Sequence, residues 1–99
     1  MCIYEVNLSF GPGLERELRA WLGPHIKEMI SLEGFVSAKQ FEVEEAESEW
    51  KSICIWYYLK DRKALQNYFD KDASRMRQDG LDRFGERFKA NRRILFEQS

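Results

Sequence analysis

One strand that is apolar on both faces constrains this chain most. From Trp50 to Leu59, alternate residues point to opposite faces of a β-strand, and both sets are largely apolar or aromatic. One set contains Ile53, Ile55, Tyr57 and Leu59, and the other contains Cys54, Trp56 and Tyr58. The helices of a 99-residue chain can cover only one face of a small sheet. The other face therefore needs a different cover, and a second copy of the sheet is the simplest one.

Apolar periodicity predicts three more strands and two helices. Alternation predicts strands over 2–9, 35–43 and 87–97, with Phe35 and Phe41 on the same face of the second one. Spacings of three and four residues predict a helix from Leu14 to Gly34 and another from Asp61 to Gly80, followed by a short turn over 81–85. The Gly23-Pro24 pair predicts a kink or a short break inside the first helix.

The predicted element order is βαββαβ, an α+β fold in one domain over residues 1–99. Right-handed crossovers and a hairpin between the second and third strands give a four-stranded antiparallel sheet in the order 4-1-3-2, with both helices on one face. The helix-free face would carry Cys54, Trp56 and Tyr58, which we interpret as a homodimer interface that closes a barrel from two sheets.

RNA binding is the competing interpretation of that face. The segment from Ile3 to Leu8 resembles the first-strand motif of RNA-recognition modules, whose open sheet stacks bases on aromatic side chains. The companion motif needs glycines and a basic residue among its aromatics, and the strand from Trp50 to Tyr58 has no glycine. We therefore favour the dimer and expect no nucleic-acid partner, which agrees with a net charge of −1.

Cysteine spacing and hydropathy also bear on metal sites, cofactors and membrane partners. Cys2 and Cys54 lack the paired spacing of a metal site or a disulfide framework, so we expect free thiols, no metal and no cofactor. No window approaches the ~18 apolar residues of a membrane span, and no leader pattern is present, so a cytoplasmic protein without a membrane partner is expected. The acidic run Glu42–Glu49 predicts a solvated hairpin tip, with cation binding as the alternative.

Three polar residues fall at positions where apolar ones are expected. His25, the single histidine, lies on the apolar stripe of the first helix and is our candidate base, with a hydrogen-bonded core histidine as the alternative. Arg92 lies on the apolar face of the last strand, so an acid must meet it, either Glu5 or an anionic ligand. Tyr57 lies among apolar residues of the third strand, where its hydroxyl group would be near a pocket.

A basic segment runs from Arg75 to Arg93. A solvated face or salt bridging between subunits would account for it, whereas the functional interpretation is capture of a carboxylate or phosphate by Arg77 or Arg83.

The chain also resembles a known superfamily. The resemblance is carried by Tyr4-Glu5-Val6, His25-Ile26 with Glu28-Met29, Gly34-Phe35, Tyr58-Leu59 with Asp61-Arg62, Asp79-Gly80, Arg87-Phe88 and Arg92-Arg93. In these segments the chain is similar to the dimeric α+β barrel superfamily of ferredoxin-like proteins, and within it to a small bacterial family of unknown function. The resemblance implies a homodimer with a small pocket between the sheet and the helices of each subunit. It carries no catalytic motif and transfers no reaction.

Three functions follow from these observations. The first is binding of a small organic, possibly anionic, molecule in that pocket, with Tyr57, Arg77, Arg83 and Arg92 as ligand-binding candidates. The second is a cofactor-independent monooxygenase or isomerase that uses His25 as the base. The third is a protein–protein interaction module. The sequence leaves open whether the protein is an enzyme.

Overall fold

The computed structural model describes residues 1–44 and 48–98. Within them, the strands are β1 (Cys2–Phe10), β2 (Phe35–Val43), β3 (Lys51–Leu59) and β4 (Phe88–Phe96). The helices are α1 (Glu15–Ile30), α2 (Arg62–Lys71) and α3 (Ala73–Phe84), and a 3₁₀ turn (Gly85–Arg87) joins α3 to β4. The four predicted strands are confirmed, and no strand end differs from the prediction by more than one residue.

The strands form one antiparallel sheet in the order β2-β3-β1-β4. This is the predicted order 4-1-3-2 read from the opposite edge. Tyr4 of β1 lies opposite Tyr57 on one side and Ile94 on the other. We call the face that carries Tyr4 the inner face and the face that carries Trp56 the outer face. The core lies between the inner face and the helices, where the inner side chains of β1 are all buried.

A bulge in β2 corrects one prediction. Phe35 pairs with Leu59 and Ser37 with Tyr58, so Val36 is an extra residue between them. Phe35 therefore packs against the core, whereas Phe41 lies on the outer face beside Trp56. The prediction that the two phenylalanines share a face is wrong, because one extra residue reverses the face of every later side chain.

Helix α1 runs without a break from Glu15 to Ile30, although it contains Pro24. A proline removes one backbone hydrogen bond, here the bond to the carbonyl of Ala20. The buried stripe that holds the helix on the sheet consists of Leu18, Leu22, Ile26 and Met29. Residues of this stripe lie on both sides of Pro24, so packing offsets the missing bond.

The second predicted helix is two helices. Asp61 caps α2 as expected, since its side chain accepts a hydrogen bond from the backbone N–H of Ala64. The chain leaves helical geometry at Asp72, and α3 then continues to Phe84. The prediction that Gly80 ends a helix is wrong. Gly80 is buried inside α3, where an added Cβ would lie 3.2 Å from the ring of Phe88 and 3.4 Å from that of Trp21.

The outer face is partly apolar. Cys54 is buried there within the sheet, Trp56 and Tyr58 are half-buried, and Phe41 is 40% exposed. The Cα atoms span 37 × 32 × 18 Å, the flat shape of one sheet with one layer of helices. Both cysteines are free thiols, as predicted. Among the described helices, none has the length and apolar character that crossing a membrane requires.

Candidate functional site

A cavity lies between the inner face and the helices. The part of it that a water molecule can enter has a volume of about 30 Å³, and the space between the atoms measures about 430 Å³ when the open mouth is included. Most of the wall is apolar. The polar groups in the wall come from six elements, one from each, and are Tyr4, His25, Tyr57, Tyr68, Arg77 and Arg92.

His25 contributes a neutral imidazole to this cavity. Helix α1 carries it on the side that faces the sheet, as predicted, and its ring stacks on Trp21 with 4.3 Å between ring centroids and 25° between planes. Burial lowers the pKa of His25 because it disfavours the charged form, although the nearby carboxylates of Asp79 and Glu28 oppose that effect. The Nδ1 atom is buried and has no hydrogen-bond partner among the described residues. Such a nitrogen can accept a proton or a hydrogen bond from a ligand.

Arg92 reaches the cavity but does not meet Glu5. It lies opposite Val6 on the inner face of β4 and lines the cavity. Glu5 lies opposite Arg93 on the outer face, so the expected pair between Arg92 and Glu5 is wrong. Neighbouring residues of a strand point to opposite faces, which separates the two arginines. In the part of the chain that the structure describes, no carboxylate forms a salt bridge with Arg92.

Glu5 is instead the centre of a polar cluster on the outer face. Its carboxylate accepts hydrogen bonds from Arg93 Nε at 2.5 Å, Asn7 Nδ2 at 2.9 Å and Trp56 Nε1 at 2.9 Å. The hydrogen bond from Arg93, with those from Trp56 and Asn7, lowers the pKa of Glu5 to about 2 against the opposing effect of burial. Only 3% of Glu5 is exposed. This side chain is saturated with partners and is therefore structural.

Three tyrosines supply the hydroxyl groups of the cavity. Tyr57 is buried in the core, as predicted, and burial raises its pKa and that of Tyr68. These two hydroxyl groups therefore stay protonated and can donate hydrogen bonds. The hydroxyl of Tyr4 accepts a hydrogen bond from Arg77 Nη2 at 3.1 Å. Tyr4 and Tyr68 were not predicted as site residues, although strand alternation and helical spacing place both on core-facing positions.

The two arginines predicted on α3 have different surroundings. Arg77 lines the cavity, and its guanidinium also lies 5.8 Å from the ring centroid of Phe69. Arg83 lies outside the cavity, beside a surface groove formed with Glu17, Ala20 and other residues. Of the predicted site residues, the fold therefore brings His25, Tyr57, Arg77 and Arg92 together and leaves Arg83 apart.

Trp21 and Asp79 form a contact that no sequence pattern indicated. The indole Nε1 of Trp21 donates a hydrogen bond to Asp79 Oδ2 at 2.9 Å, joining residues 58 positions apart. Trp21 occupies an apolar position of α1, so its spacing predicts packing only. Its polar atom needs a partner, and the partner comes from the tertiary fold.

The acidic run is described only in part. Glu45 and Glu47 lie outside the described residues, and Glu42 forms a salt bridge with Arg19 at 3.0 Å. Across 1–44 and 48–98, no group of three or more histidine, cysteine or carboxylate side chains is arranged to hold a metal ion.

Comparisons with known proteins agree on the fold. A family model described as "Domain of unknown function (DUF4286)" matches residues 1–98. A search of curated proteins found no match. A protein of the ethyl tert-butyl ether D (EthD) family from Bacillus halodurans has a similar structure, with a TM-score of 0.70 at 18% identity over 99% of this chain and 100% of its own.

Two further solved structures carry oxygenase descriptions. A cofactor-independent oxygenase from Streptomyces nogalater matches with a TM-score of 0.66 at 12% identity, over 99% of this chain and 94% of its own. A candidate antibiotic biosynthesis monooxygenase from Deinococcus radiodurans matches with a TM-score of 0.68 at 16% identity, over 100% of this chain and 93% of its own. At these identities the likeness establishes the ferredoxin-like α+β barrel fold and no reaction.

Proposed function

The chain belongs to the DUF4286 family, whose function is unknown, and from that premise we propose that it is a homodimer that binds a small anionic organic molecule in the cavity of each subunit. The observation that carries this proposal is the charge of the cavity wall. Arg77 and Arg92 both line it, and no carboxylate among the described residues does. Two cations without an acid on the same wall favour a negatively charged ligand.

The polar groups are placed to orient such a ligand. Both arginines are exposed residues, which places their charge where solvent can reach. Tyr57, Tyr68 and His25 lie in the wall of the same cavity and supply two hydroxyl donors and one unpartnered nitrogen. An apolar wall with a few convergent polar groups is the usual character of a small-molecule site. An aromatic carboxylate combines the apolar body and the charge that this wall requires.

The cavity must widen to take a ligand of that size. The volume of about 30 Å³ that water can enter has room for only one or two water molecules. Met29 and Met76 belong to the wall. Methionine side chains are unbranched and flexible, so they can repack around a ligand at small cost. The ligand would then occupy the mouth and the space that these side chains release.

The outer face supports the dimer. Phe41, Trp56 and Tyr58 form a chain of edge-to-face aromatic contacts across β2 and β3, with ring centroids 5.0 Å and 6.5 Å apart. Exposed aromatic surface of this kind is typical of protein interfaces. A second copy of the sheet would cover it and leave both cavities on the helix side of each subunit.

A binding experiment tests the ligand proposal. Benzoate, salicylate and larger aromatic carboxylates are titrated into the protein, with benzamide as an uncharged control, and binding is followed by thermal shift and calorimetry. Arg92→Gln should weaken carboxylate binding by about tenfold, the loss of one charge-assisted hydrogen bond. Arg83→Gln is the matched control, because Arg83 shares α3 with Arg77 but lies outside the cavity. Absence of carboxylate binding to the wild type, or equal effects of the two variants, would contradict the proposal.

Proton transfer by His25 is a second candidate function. The unpartnered nitrogen and the lowered pKa of His25 favour it, because a neutral imidazole can take a proton from an acidic C–H or O–H group of the ligand. The guanidinium of Arg92 would stabilise the resulting anion. A bound carboxylate with an acidic C–H group is incubated in D₂O, and deuterium uptake is measured by NMR. Exchange that the wild type does not accelerate relative to His25→Gln would exclude this function.

A further inference from the structure

We infer that Asp79 is a positioning residue for His25 and that it acts through Trp21. This inference rests on the proposed function and deepens it. It explains how the cavity holds its only imidazole in one orientation. Three residues are involved, and they lie on two helices. Asp79 lies on α3, whereas Trp21 and His25 lie one turn apart on α1.

Within the described residues, the ring of His25 is held by stacking and not by a hydrogen bond. No hydrogen bond fixes its ring, since none of the residues in 1–44 and 48–98 donates to it or accepts from it and Nδ1 is buried without a partner. Functional histidines usually have one ring nitrogen fixed by a hydrogen bond to a carboxylate or a carbonyl. Here the stack on Trp21, at 4.3 Å and 25°, is the contact that sets the plane of the ring.

Helix α3 fixes Trp21 from several sides. Asp79 Oδ2 accepts the hydrogen bond from the indole nitrogen. Phe84 packs edge-on against the indole, with ring centroids 5.5 Å apart and 85° between planes. Gly80 lets the backbone of α3 approach, because an added Cβ would lie 3.4 Å from the indole ring. The indole therefore has one defined orientation, and the hydrogen bond to Asp79 is its directional contact.

Substitutions of Asp79 can separate the effect of its hydrogen bond from the effect of its charge. Charged and titratable groups face His25 from several elements: Asp79 from α3, Glu28 from α1 and Arg92 from β4, with Arg77 and Tyr57 in the same cavity wall. Removing Asp79 changes the electrostatic field at His25 as well as the hydrogen bond to Trp21. Asp79→Asn and Asp79→Leu both remove the charge, but only Asn keeps an oxygen that can accept from the indole.

NMR of the free protein tests the inference. His25 is the only histidine of the chain, so its ring protons are assigned without ambiguity. Stacking on the indole shifts them upfield. We expect Asp79→Asn to keep this shift and Asp79→Leu to lose it, with Trp21→Leu as the reference for an unstacked ring. Asp79 is exposed, so both variants should fold, and Asp79→Ala replaces Asp79→Leu if that variant does not.

Two outcomes would overturn the inference. Retention of the upfield shift in Asp79→Leu would mean that packing alone holds Trp21 and His25. Loss of the shift in Asp79→Asn as well as in Asp79→Leu would mean that the charge, and not the hydrogen bond, is responsible. Both results are obtained without a ligand, so they are independent of whether aromatic carboxylates bind.

Discussion

At the scale of single residues, the buried carboxylate of Glu5 is the most strongly shifted acid of the outer face. Its pKa is about 2 in the folded protein and near 4.5 in an unfolded chain. Folding therefore favours the ionised form, and the resulting stabilisation is fully present above pH 4.5. It disappears as the pH falls toward 2. Arg93 is 68% exposed as a side chain, and solvent screens part of this attraction.

We predict that Glu5→Gln lowers the free energy of unfolding at pH 7 by on the order of 2 kcal/mol. The difference between variant and wild type should shrink between pH 4.5 and pH 2, because wild-type Glu5 becomes protonated there. Urea unfolding at pH 7, 4 and 2.5 and at fixed protein concentration measures both effects. Glu17→Gln is the control, since Glu17 is exposed and lies 3.7 Å from its arginine. A difference that does not change with pH would contradict the assignment.

For the single histidine, its orientation could be predicted from the sequence, whereas its contacts could not. Its helical position predicted correctly that it faces the sheet. The stack on Trp21, and the lack of a hydrogen bond to His25 from any described residue, were not predictable, because both depend on the rotamers of side chains that pack in three dimensions. Glu5 is the opposite case. Alternation placed it on the face away from Tyr4, so strand parity alone was sufficient to reject Arg92 as its partner.

At the scale of elements, α1 and the turn before β2 contain glycines with opposite requirements. Gly23 is exposed within α1, has no positive φ, and an added Cβ would meet nothing within 4 Å. Gly34 has a φ of +89°, and its added Cβ would collide with the Cβ of Ala64. The first site accepts a side chain, whereas the second excludes one for steric and conformational reasons.

We therefore predict that Gly23→Ala raises the free energy of unfolding by about 0.5–1 kcal/mol, because alanine loses less backbone entropy in a helix. Gly34→Ala should lower it, by more than about 1 kcal/mol, since the backbone or the start of α2 must move. Thermal and urea unfolding of the two variants beside the wild type measure these changes. Destabilisation by Gly23→Ala would show that the region around Pro24 departs from regular helix.

Apolar periodicity does not show where one helix ends and the next begins. One continuous pattern of apolar residues spans α2 and α3, yet the chain leaves helical geometry at Asp72 between them. Gly80 continues α3 because the indole of Trp21 and the ring of Phe88 need the space of a missing side chain. Tertiary packing overrides the weak helix propensity of a glycine in such a place.

At the scale of the whole molecule, the two faces of the sheet differ in how much apolar surface they expose, and this difference carries the dimer proposal. The helices bury the inner face, while the outer face exposes Phe41 and leaves Trp56 and Tyr58 half-buried. Light scattering should give a mass near twice the 11.8 kDa of the chain. Phe41→Glu should shift it toward a monomer, because a carboxylate would be buried against aromatic rings.

Leu81→Glu is the control for this prediction. Leu81 is 52% exposed, more than Phe41, but it lies on α3 and therefore in the helix layer. An equal shift toward monomer in both variants would place the interface on the helices. A wild type that is monomeric at micromolar concentration would remove the homodimer from the proposed function and leave the cavity unaffected.

The sequence alone determined the order of the elements, the order of the strands and the face of the sheet that the helices cover. These follow from local periods of 2 and 3.6 residues and from the handedness of crossovers, which need no knowledge of distant contacts. Tertiary structure decided the individual contacts: Arg83 outside the cavity, Arg93 directly opposite Glu5, and Asp79 on Trp21. Each depends on strand register, on how helices pack or on a side-chain rotamer, and long-range packing fixes these only once the whole chain has folded.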